Sequence, residues 1–424
     1  MGRLAECAVL AAFTAGASAV VSIANLAGSL RILDLTGSAL LLSITVLAYN
    51  LAFTLMSWFW PAIFVGRLKR RGLLASSTAG MGAGLLAMGL SPNPYIVILG
   101  SGVAGAFSAL IYPVMVTVLA DYYGKDSVAV TRYNTLSSVG FIVGYVAAAA
   151  ARVRIGTAEM LVITAATSLA LTALTALMPQ RYVVVEPRRV SYVSLIPQLT
   201  GRLRPVPSLI LTPKVVYNLR RLAVDFARMV ARHMQRRLPL TLLATAVLFT
   251  AIGTFFTPMP AFLRSVGLND VEVYVIYLIS SVVSTVAYRF IHPLISDSWR
   301  AWRLLTAAVA ARAPLFLLPT YVILLNGRVE PFAVAAAGFV IVGITWAAIS
   351  SSLTAVILFM AEKERKEERL GHLNAMIGVG TILGSLIAGP IAQEYGYVAL
   401  SATASALVAI ASALYYRAMK ALVT

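Results

Sequence analysis

The chain has 424 residues, of which 60% are apolar and only 12% are charged. A soluble domain of this composition would lack the polar surface to cover itself, so the composition excludes a soluble globular protein and indicates a membrane protein. The formal charge of +18 fits basic loops at an anionic membrane surface and requires no nucleic-acid partner. The single cysteine, Cys7, excludes an internal disulfide and a cysteine-based metal cluster. We expect neither a metal site nor a cofactor.

Twelve apolar runs, each about 20 residues or longer, are separated by loops and predict twelve membrane spans. Spans 1 to 6 are predicted near 5–28, 37–65, 73–91, 95–120, 131–151 and 157–178, and spans 7 to 12 near 238–263, 272–295, 303–325, 331–361, 373–392 and 396–416. The runs lack the alternation of a barrel strand, and lipid offers an open strand edge no partners. The predicted fold class is therefore an all-α integral membrane protein.

Lys and Arg alternate from loop to loop along the chain. One side of the predicted membrane carries 27 of the 34 cations, and the other side carries only Arg31, Arg152, Arg154, Arg264 and Arg328. We call these the cation-rich and the cation-poor end. By the positive-inside rule the cation-rich end, with both termini, is cytoplasmic, which predicts a multi-pass protein of the plasma or inner membrane.

A basic segment divides the spans into six and six. The predicted domains are an N-terminal six-helix bundle (1–178), a linker (179–237) and a C-terminal six-helix bundle (238–424). Helical spacing of apolar and basic residues predicts an interfacial helix at 213–237, and a juxtamembrane linker with helical bias is the alternative. The pair Gly140 and Gly144 of span 5 recurs as Gly380 and Gly384 in span 11, which favours a duplicated six-helix unit.

Two loops carry a family resemblance. Between spans 2 and 3 stand Gly66, Arg67, Leu68, Lys69, Arg70, Arg71 and Gly72, and the loop between spans 8 and 9 contains Asp297. Each loop resembles part of the Gly-x-Leu-x-Asp-Arg-x-Gly signature of the major facilitator superfamily, although the first lacks the acid and the second both glycines. The glycine-rich spans 5 and 11 are similar to their counterparts in that family. The resemblance implies two six-helix bundles that rock about a site near the middle of the membrane.

The resemblance also implies gating contacts at the cation-rich end. Asp297 is expected to approach the start of span 5 near Thr131 and Arg132, and Asp121 to pair with Arg70. We further predict that the cations at 67–71, Lys69 included, face Glu362, Glu364, Glu367 and Glu368 as a latch, the alternative being a solvated basic loop. The glycine pairs of spans 5 and 11 are interpreted as sliding contacts between bundles, with plain helix packing as the alternative.

The resemblance assigns the substrate cavity to spans 1, 4, 7 and 10, flanked by 2, 5, 8 and 11. At middle depth these spans supply neutral, partly aromatic side chains: Asn25, Tyr49, Asn50, Ser108, Tyr112, Thr250, Thr254, Tyr277, Ser281, Thr345, Trp346 and Ser350. Arg312 in span 9 is the exception, and it either attracts an anionic substrate or satisfies carbonyls freed by Pro314 and Pro319. Proline and glycine residues also predict a bend in span 7, at Gly253, Pro258 and Pro260.

These features favour a secondary transporter that moves a small organic solute by alternating access. Export of hydrophobic or amphipathic compounds is slightly favoured over uptake of a small metabolite or organic anion, and a non-transporting receptor or scaffold on the same fold is the alternative of another class. The spans contain no clusters of His and acidic residues of the kind that an enzyme embedded in the membrane would need, so we do not expect an enzyme. Expected partners are the small-molecule substrate, membrane lipids and either a proton or sodium as coupling ion if there is one, and we expect a monomer.

Overall fold

A computed structural model describes residues 3–64, 70–123, 126–178, 237–360 and 366–420. In these ranges every regular element is a helix, and twelve helical segments are long and apolar enough to cross a membrane. Spans 1 to 6 are Arg3–Thr36, Ala39–Phe64, Arg70–Leu90, Pro94–Ser108 with Ile111–Tyr123, Asp126–Arg152 and Thr157–Leu174. Spans 7 to 12 are Arg237–Phe256 with Met259–Ser265, Asp270–Ile291, Ser298–Leu315 with Leu318–Leu325, Pro331–Phe359, Lys366–Glu394 and Gly396–Lys420. All twelve spans are thus confirmed as helices, and the interfacial helix predicted at 213–237 lies, except for Arg237, outside the described residues.

Spans 4, 7 and 9 are each made of two helices. Proline has no backbone N–H to donate to the carbonyl four residues earlier, so it interrupts the helical ladder. In span 7 the first helix ends at Phe256 and the second begins at Met259, on either side of Pro258. The predicted bend of span 7 is therefore confirmed. In span 9 the break follows Pro314 and separates Leu315 from Leu318.

Loops at the cation-poor end are short because their residues end and start helices efficiently. Gly37 ends span 1 with φ of +63°, a conformation open to glycine, and its N–H donates to Leu33 O at 2.8 Å. Asn93 caps span 4 by accepting from Tyr95 N at 2.9 Å, while Pro94 occupies the first turn. These turns hold adjacent spans antiparallel and bring their ends together.

Each half of the chain packs as a bundle with the same core contact. Span 1 packs on span 5 in the first half, and span 7 packs on span 11 in the second. A Cβ added at Gly144 would lie 3.0 Å from Cα of Ala19. A Cβ added at Gly384 would lie 2.7 Å from N of Thr254. Gly140 and Gly380 also face the neighbouring backbone of these pairs. The recurring glycines therefore make equivalent contacts in the two halves.

The position of these glycines corrects one prediction. Gly140, Gly144, Gly380 and Gly384 each join two helices of the same bundle, so they are not the predicted sliding contacts between bundles. The alternative, close helix packing, is the one that the structure shows. The small-residue contacts between bundles lie elsewhere on span 11, at Gly378 against Thr54 and at Gly389 against Ser43.

In the described ranges, three pairs of segments make the main contacts between the two bundles. Span 2 packs against span 11, span 5 against span 8, and span 1 against the second helix of span 7. Along spans 2 and 11 the contact runs from Ser43 and Gly389 near the cation-poor end to Thr54 and Gly378, deeper in the membrane. The two bundles thus meet along spans 2 and 11 from the cation-poor end to about the middle of both helices.

Candidate functional site

Four charged residues join the bundles at the cation-poor end. They lie where span 1 ends (Asp34), span 5 ends (Arg152), span 7 ends (Arg264) and span 8 begins (Asp270). Arg264 Nη1 donates to Asp34 Oδ1 at 2.8 Å, and Arg152 Nε donates to Asp270 Oδ2 at 2.6 Å. Both of these pairs cross from one bundle to the other. We call the four residues the polar gate.

Contacts within each bundle fix the geometry of the polar gate. Arg264 binds Asp270 with two parallel hydrogen bonds, Nε to Oδ1 at 2.6 Å and Nη2 to Oδ2 at 2.8 Å. The hydroxyl of Thr157 donates to Asp34 Oδ2, and Arg152 Nη1 donates to Ile155 O at 2.8 Å. Paired guanidinium and carboxylate groups form charge-assisted hydrogen bonds, which are stronger than neutral ones. The two positive and two negative charges alternate, so the group is neutral as a whole.

Below the polar gate, neutral hydrogen bonds continue the contact between bundles. Asn50 Nδ2 of span 2 donates to Ser385 Oγ of span 11 at 3.3 Å, and Ser385 Oγ lies 3.1 Å from Thr257 Oγ1 of span 7. The rings of Tyr145 and Tyr277 also meet across the bundles, with centroids 6.1 Å apart. Of the residues predicted to bind substrate, Asn50 and Tyr277 thus take part in the contact between bundles.

A polar group in the N-terminal bundle includes two more of the predicted residues. Asn25 and Tyr49 line a small cavity between spans 1, 2, 3 and 4. The hydroxyl of Tyr49 lies 2.9 Å from Ser108 Oγ, at the point where the first helix of span 4 ends. Tyr112, in the second helix of that span, is 37% exposed and packs edge-on against Tyr133 with centroids 5.0 Å apart. The structure therefore brings Asn25, Tyr49 and Ser108 together.

In the C-terminal bundle, Arg312 of span 9 reaches span 10. Its Nε donates to Thr345 Oγ1 at 3.2 Å, and its Cζ lies 5.6 Å from the ring centroid of Trp346. Trp346 in turn meets the ring of Phe249 in span 7 at 6.2 Å. Arg312, Thr345 and Trp346 were each predicted to bind substrate, and the structure brings them together.

One predicted substrate ligand lies elsewhere. Thr254 is 0% exposed, donates to Thr250 O of its own helix at 2.8 Å, and packs against Gly384 of span 11. The prediction that Thr254 lines the cavity is therefore wrong for this structure. Hydropathy places a residue at the right depth, but it does not reveal which face of the helix is covered by a neighbour.

At the cation-rich end the Arg70–Asp121 pair is present. Arg70 is 1% exposed, and its Nη1 lies 2.5 Å from Asp121 Oδ2. Asp297 instead caps its own helix by accepting from Arg300 N at 2.9 Å, and this backbone N–H lowers the pKa of Asp297. Arg132 lies over the ring of Tyr123, with Cζ 5.9 Å from the centroid. The expected approach of Asp297 to span 5 is thus not the contact seen here.

The predicted latch falls largely beyond the described residues. Gly66, Lys69 and segment 361–365 lie outside the described ranges, as do the side chains of Glu367 and Glu368. Gly72 lies in the first turn of span 3, and a Cβ added there would meet no described residue within 4 Å. The latch stays a prediction.

Sequence reasoning did not find the polar gate. Its acids and cations were visible only as separate charges near helix ends, 118 residues apart for Arg152 and Asp270 and 230 apart for Asp34 and Arg264. The available signal was their scarcity, since few charges occur at the cation-poor end. A sequence alone gives no means of pairing them.

In the described part of the chain, twelve helices of membrane-spanning length form two bundles that share one core contact and meet at the polar gate, which defines a polytopic α-helical membrane protein. The sequence matches the family model of the Major Facilitator Superfamily over residues 7–358, and the chain belongs to that family. It is a multi-pass integral membrane protein.

Solved structures of transporters share this fold. The nucleoside transporter NupG superposes with a TM-score of 0.71 at 14% identity, covering 99% of this chain and 100% of that one. A bacterial homologue of the human lysosomal transporter Spinster, in an inward-facing and occupied conformation, has a TM-score of 0.68 at 13% identity. The match covers 97% of this chain and 96% of that one. A bacterial homologue of the human drug peptide transporters PepT1 and PepT2 has a TM-score of 0.68 at 13% identity. The match covers 100% of this chain and 98% of that one. A search of curated proteins found no match.

Proposed function

We propose that the protein moves a small organic solute across the plasma or inner membrane by alternating access, and that this structure is the state closed at the cation-poor end. The observation that carries the proposal is the polar gate, where Arg152–Asp270 and Arg264–Asp34 join the two bundles. Such pairs must break for the bundles to separate, so they bias the equilibrium between two states. The basic loops support a cytoplasmic location for the opposite end.

The residues beneath the gate favour an amphipathic solute. Asn25, Tyr49, Tyr112 and Trp346 offer hydroxyl, amide and aromatic groups and carry no charge. Sites for organic molecules combine apolar and aromatic walls with a few polar groups that orient the ligand. Export of hydrophobic or amphipathic compounds is the direction that we favour, and the nucleosides and peptides named for the similar structures are the first alternatives for a screen.

Disulfide trapping tests alternating access directly. In a Cys7→Ser background, Asn50→Cys with Ser385→Cys places two thiols across the bundles, where the native side chains are 3.3 Å apart. We expect oxidation to stop solute flux in proteoliposomes and reduction to restore it, because the cross-link holds the cation-poor end closed. The ratio of flux in the oxidised and reduced states is the measurement.

The matched control cross-links two helices of one bundle. Ser18 and Ser137, in spans 1 and 5, have hydroxyl oxygens 2.9 Å apart, and their double cysteine variant should transport equally well when oxidised and reduced. If the oxidised Asn50/Ser385 pair carried solute as fast as the reduced protein, rocking of the bundles would be refuted. If no tested solute crossed in the parent Cys7→Ser protein, in which Asn50 and Ser385 are intact, a receptor or scaffold would become the better interpretation.

A further inference from the structure

Arg312 is a cation buried in the C-terminal bundle, and no carboxylate among the described residues forms an ion pair with it. Its side chain is 0% exposed, and none of the ion pairs among the described residues includes it. Its two hydrogen bonds are long, at 3.2 Å to Thr345 Oγ1 and 3.4 Å to Val342 O. Nη1 has no hydrogen-bond partner in the described part of the chain. Since a guanidinium has five N–H donors, most of its capacity is unused.

A purely structural role does not account for these contacts. Pro314 and Pro319 free carbonyls within span 9, but the carbonyl that Arg312 meets belongs to Val342 in span 10. Charged groups inside the membrane are costly, and they usually pair or serve function. A buried charge that lacks its partner destabilises the fold. The described part of the fold therefore leaves the charge of Arg312 without a counter-charge.

Aromatic rings place Arg312 next to the predicted cavity. Its Cζ lies 5.8 Å from the ring centroid of Phe316 and 5.6 Å from that of Trp346, so cation–π contact holds the guanidinium in place. Trp346 is half-buried and also contacts Phe249 of span 7. Phe249 and Trp346 belong to spans 7 and 10, so a solute that contacts these two rings would have the Arg312 guanidinium directly behind Trp346.

We propose that Arg312 binds the anionic group of the transported solute, while the rings of Trp346 and Phe249 contact its apolar body. This inference rests on the proposed transport function and narrows its substrate class to amphipathic organic anions. The chemistry recognised is a single anionic group, such as a carboxylate, on an aromatic or aliphatic body. Arginine suits this task because its planar donors match an anionic oxygen pair and its charge persists when buried.

Binding is measured first, on purified protein in detergent. The probes are a lipophilic carboxylate and the neutral amide of the same carbon skeleton, and affinity is read from the ligand-dependent rise in melting temperature. We expect Arg312→Gln to bind the carboxylate at least about tenfold more weakly, because a charge-assisted hydrogen bond is lost. Arg312→Lys should keep part of the affinity, and the amide should bind all variants equally. Arg328→Gln, at an exposed position before span 10, is the matched control and should behave as wild type.

The ligand-free proteins provide a second measurement. Arg312→Gln removes a buried charge that has no counter-charge but also its cation–π contacts with Phe316 and Trp346, so its melting temperature should stay close to that of wild type. A fall as large as that caused by breaking a buried ion pair would mean that the fold itself satisfies the guanidinium, which contradicts the inference. Equal carboxylate affinity in wild type and Arg312→Gln would overturn it too. The inference would also be overturned if sodium chloride alone raised the melting temperature and no organic anion competed with the chloride.

Flux separates this inference from the proposed function. Proteoliposomes are loaded with the carboxylate or the amide, and initial rates are compared for wild type and Arg312→Gln. Carboxylate flux that falls with Arg312→Gln while amide flux persists supports the inference. If the amide were transported and wild type and Arg312→Gln bound the carboxylate equally well, the proposed transport would be supported and the anion site refuted. Binding that depends on Arg312 without flux of either probe would keep the site and refute transport.

Discussion

Neutralising Arg152 should open the cation-poor end. Arg152 Nε lies 2.6 Å from Asp270 Oδ2, and the two side chains are only 21% and 10% exposed. The pair joins the two bundles, whereas the bidentate contact of Asp270 with Arg264 lies within one bundle and survives their separation. Arg152→Gln therefore removes a bond that exists only when this end is closed.

The size of the effect follows from the geometry. Two unit charges about 4 Å apart attract by roughly 4 kcal/mol at an effective dielectric constant of about 20, and desolvation offsets part of this. Charge-assisted hydrogen bonds contribute about 1.5–3 kcal/mol net. Because Gln can still donate one neutral hydrogen bond, we expect a shift of about 1–3 kcal/mol, which is about 5- to 150-fold in the equilibrium.

Spin labels can measure this shift across the cation-poor end. Leu90 in span 3 and Val329 before span 10 are 71% and 44% exposed and belong to different bundles. Cysteines at these positions, in a Cys7→Ser background, carry the labels, and pulsed distance measurements in nanodiscs give the populations of the closed and open states. Arg154→Gln is the matched control, because Arg154 is exposed and lies two residues away at the same end. We expect the longer distance to gain population only in Arg152→Gln.

Two outcomes would refute this reasoning. Distance distributions that are identical in wild type and Arg152→Gln would show that the pair does not bias the two states. An equal shift in Arg154→Gln would show that general charge, and not the contact with Asp270, sets the equilibrium.

Four further variants form two comparisons, each between two residues of the same type. Gly380→Val should lower the free energy of unfolding by about 1–3 kcal/mol, measured as a lower melting temperature, because it forces apart two helices of one bundle. Gly389→Val should instead lengthen the label distance across the cation-poor end, since its Cβ would meet Ser43 Cβ of the other bundle at 2.8 Å. Asp121→Asn should destabilise the fold by about 1–3 kcal/mol through the buried Arg70, whereas Asp297→Asn, at an exposed cap that Asn also forms, should leave the melting temperature unchanged. An undiminished melting temperature in Gly380→Val or Asp121→Asn, or an unaltered distance in Gly389→Val, would contradict the corresponding contact.

Features that depend on residues close together in the sequence could be predicted from the sequence. The twelve spans follow from hydropathy and length, and the bend of span 7 follows from the missing N–H groups of Pro258 and Pro260. The repeat of Gly140 and Gly144 as Gly380 and Gly384 indicated a duplication, and the two pairs do occupy equivalent contacts. These signals are local because each backbone hydrogen bond of a membrane helix closes within the span.

The partners of individual side chains were decided by the tertiary structure. The sequence placed Thr254 and Trp346 at similar depths, yet span 11 covers Thr254 while Trp346 contacts Arg312. The glycine pairs are predicted to lie between the bundles, and the structure places them within the bundles. The polar gate of Asp34, Arg152, Arg264 and Asp270 could not be predicted from any sequence motif. The physical reason is that lipid and a neighbouring helix are equally apolar. Hydropathy therefore fixes which residues enter the membrane, and only the packing of helices fixes which of them meet.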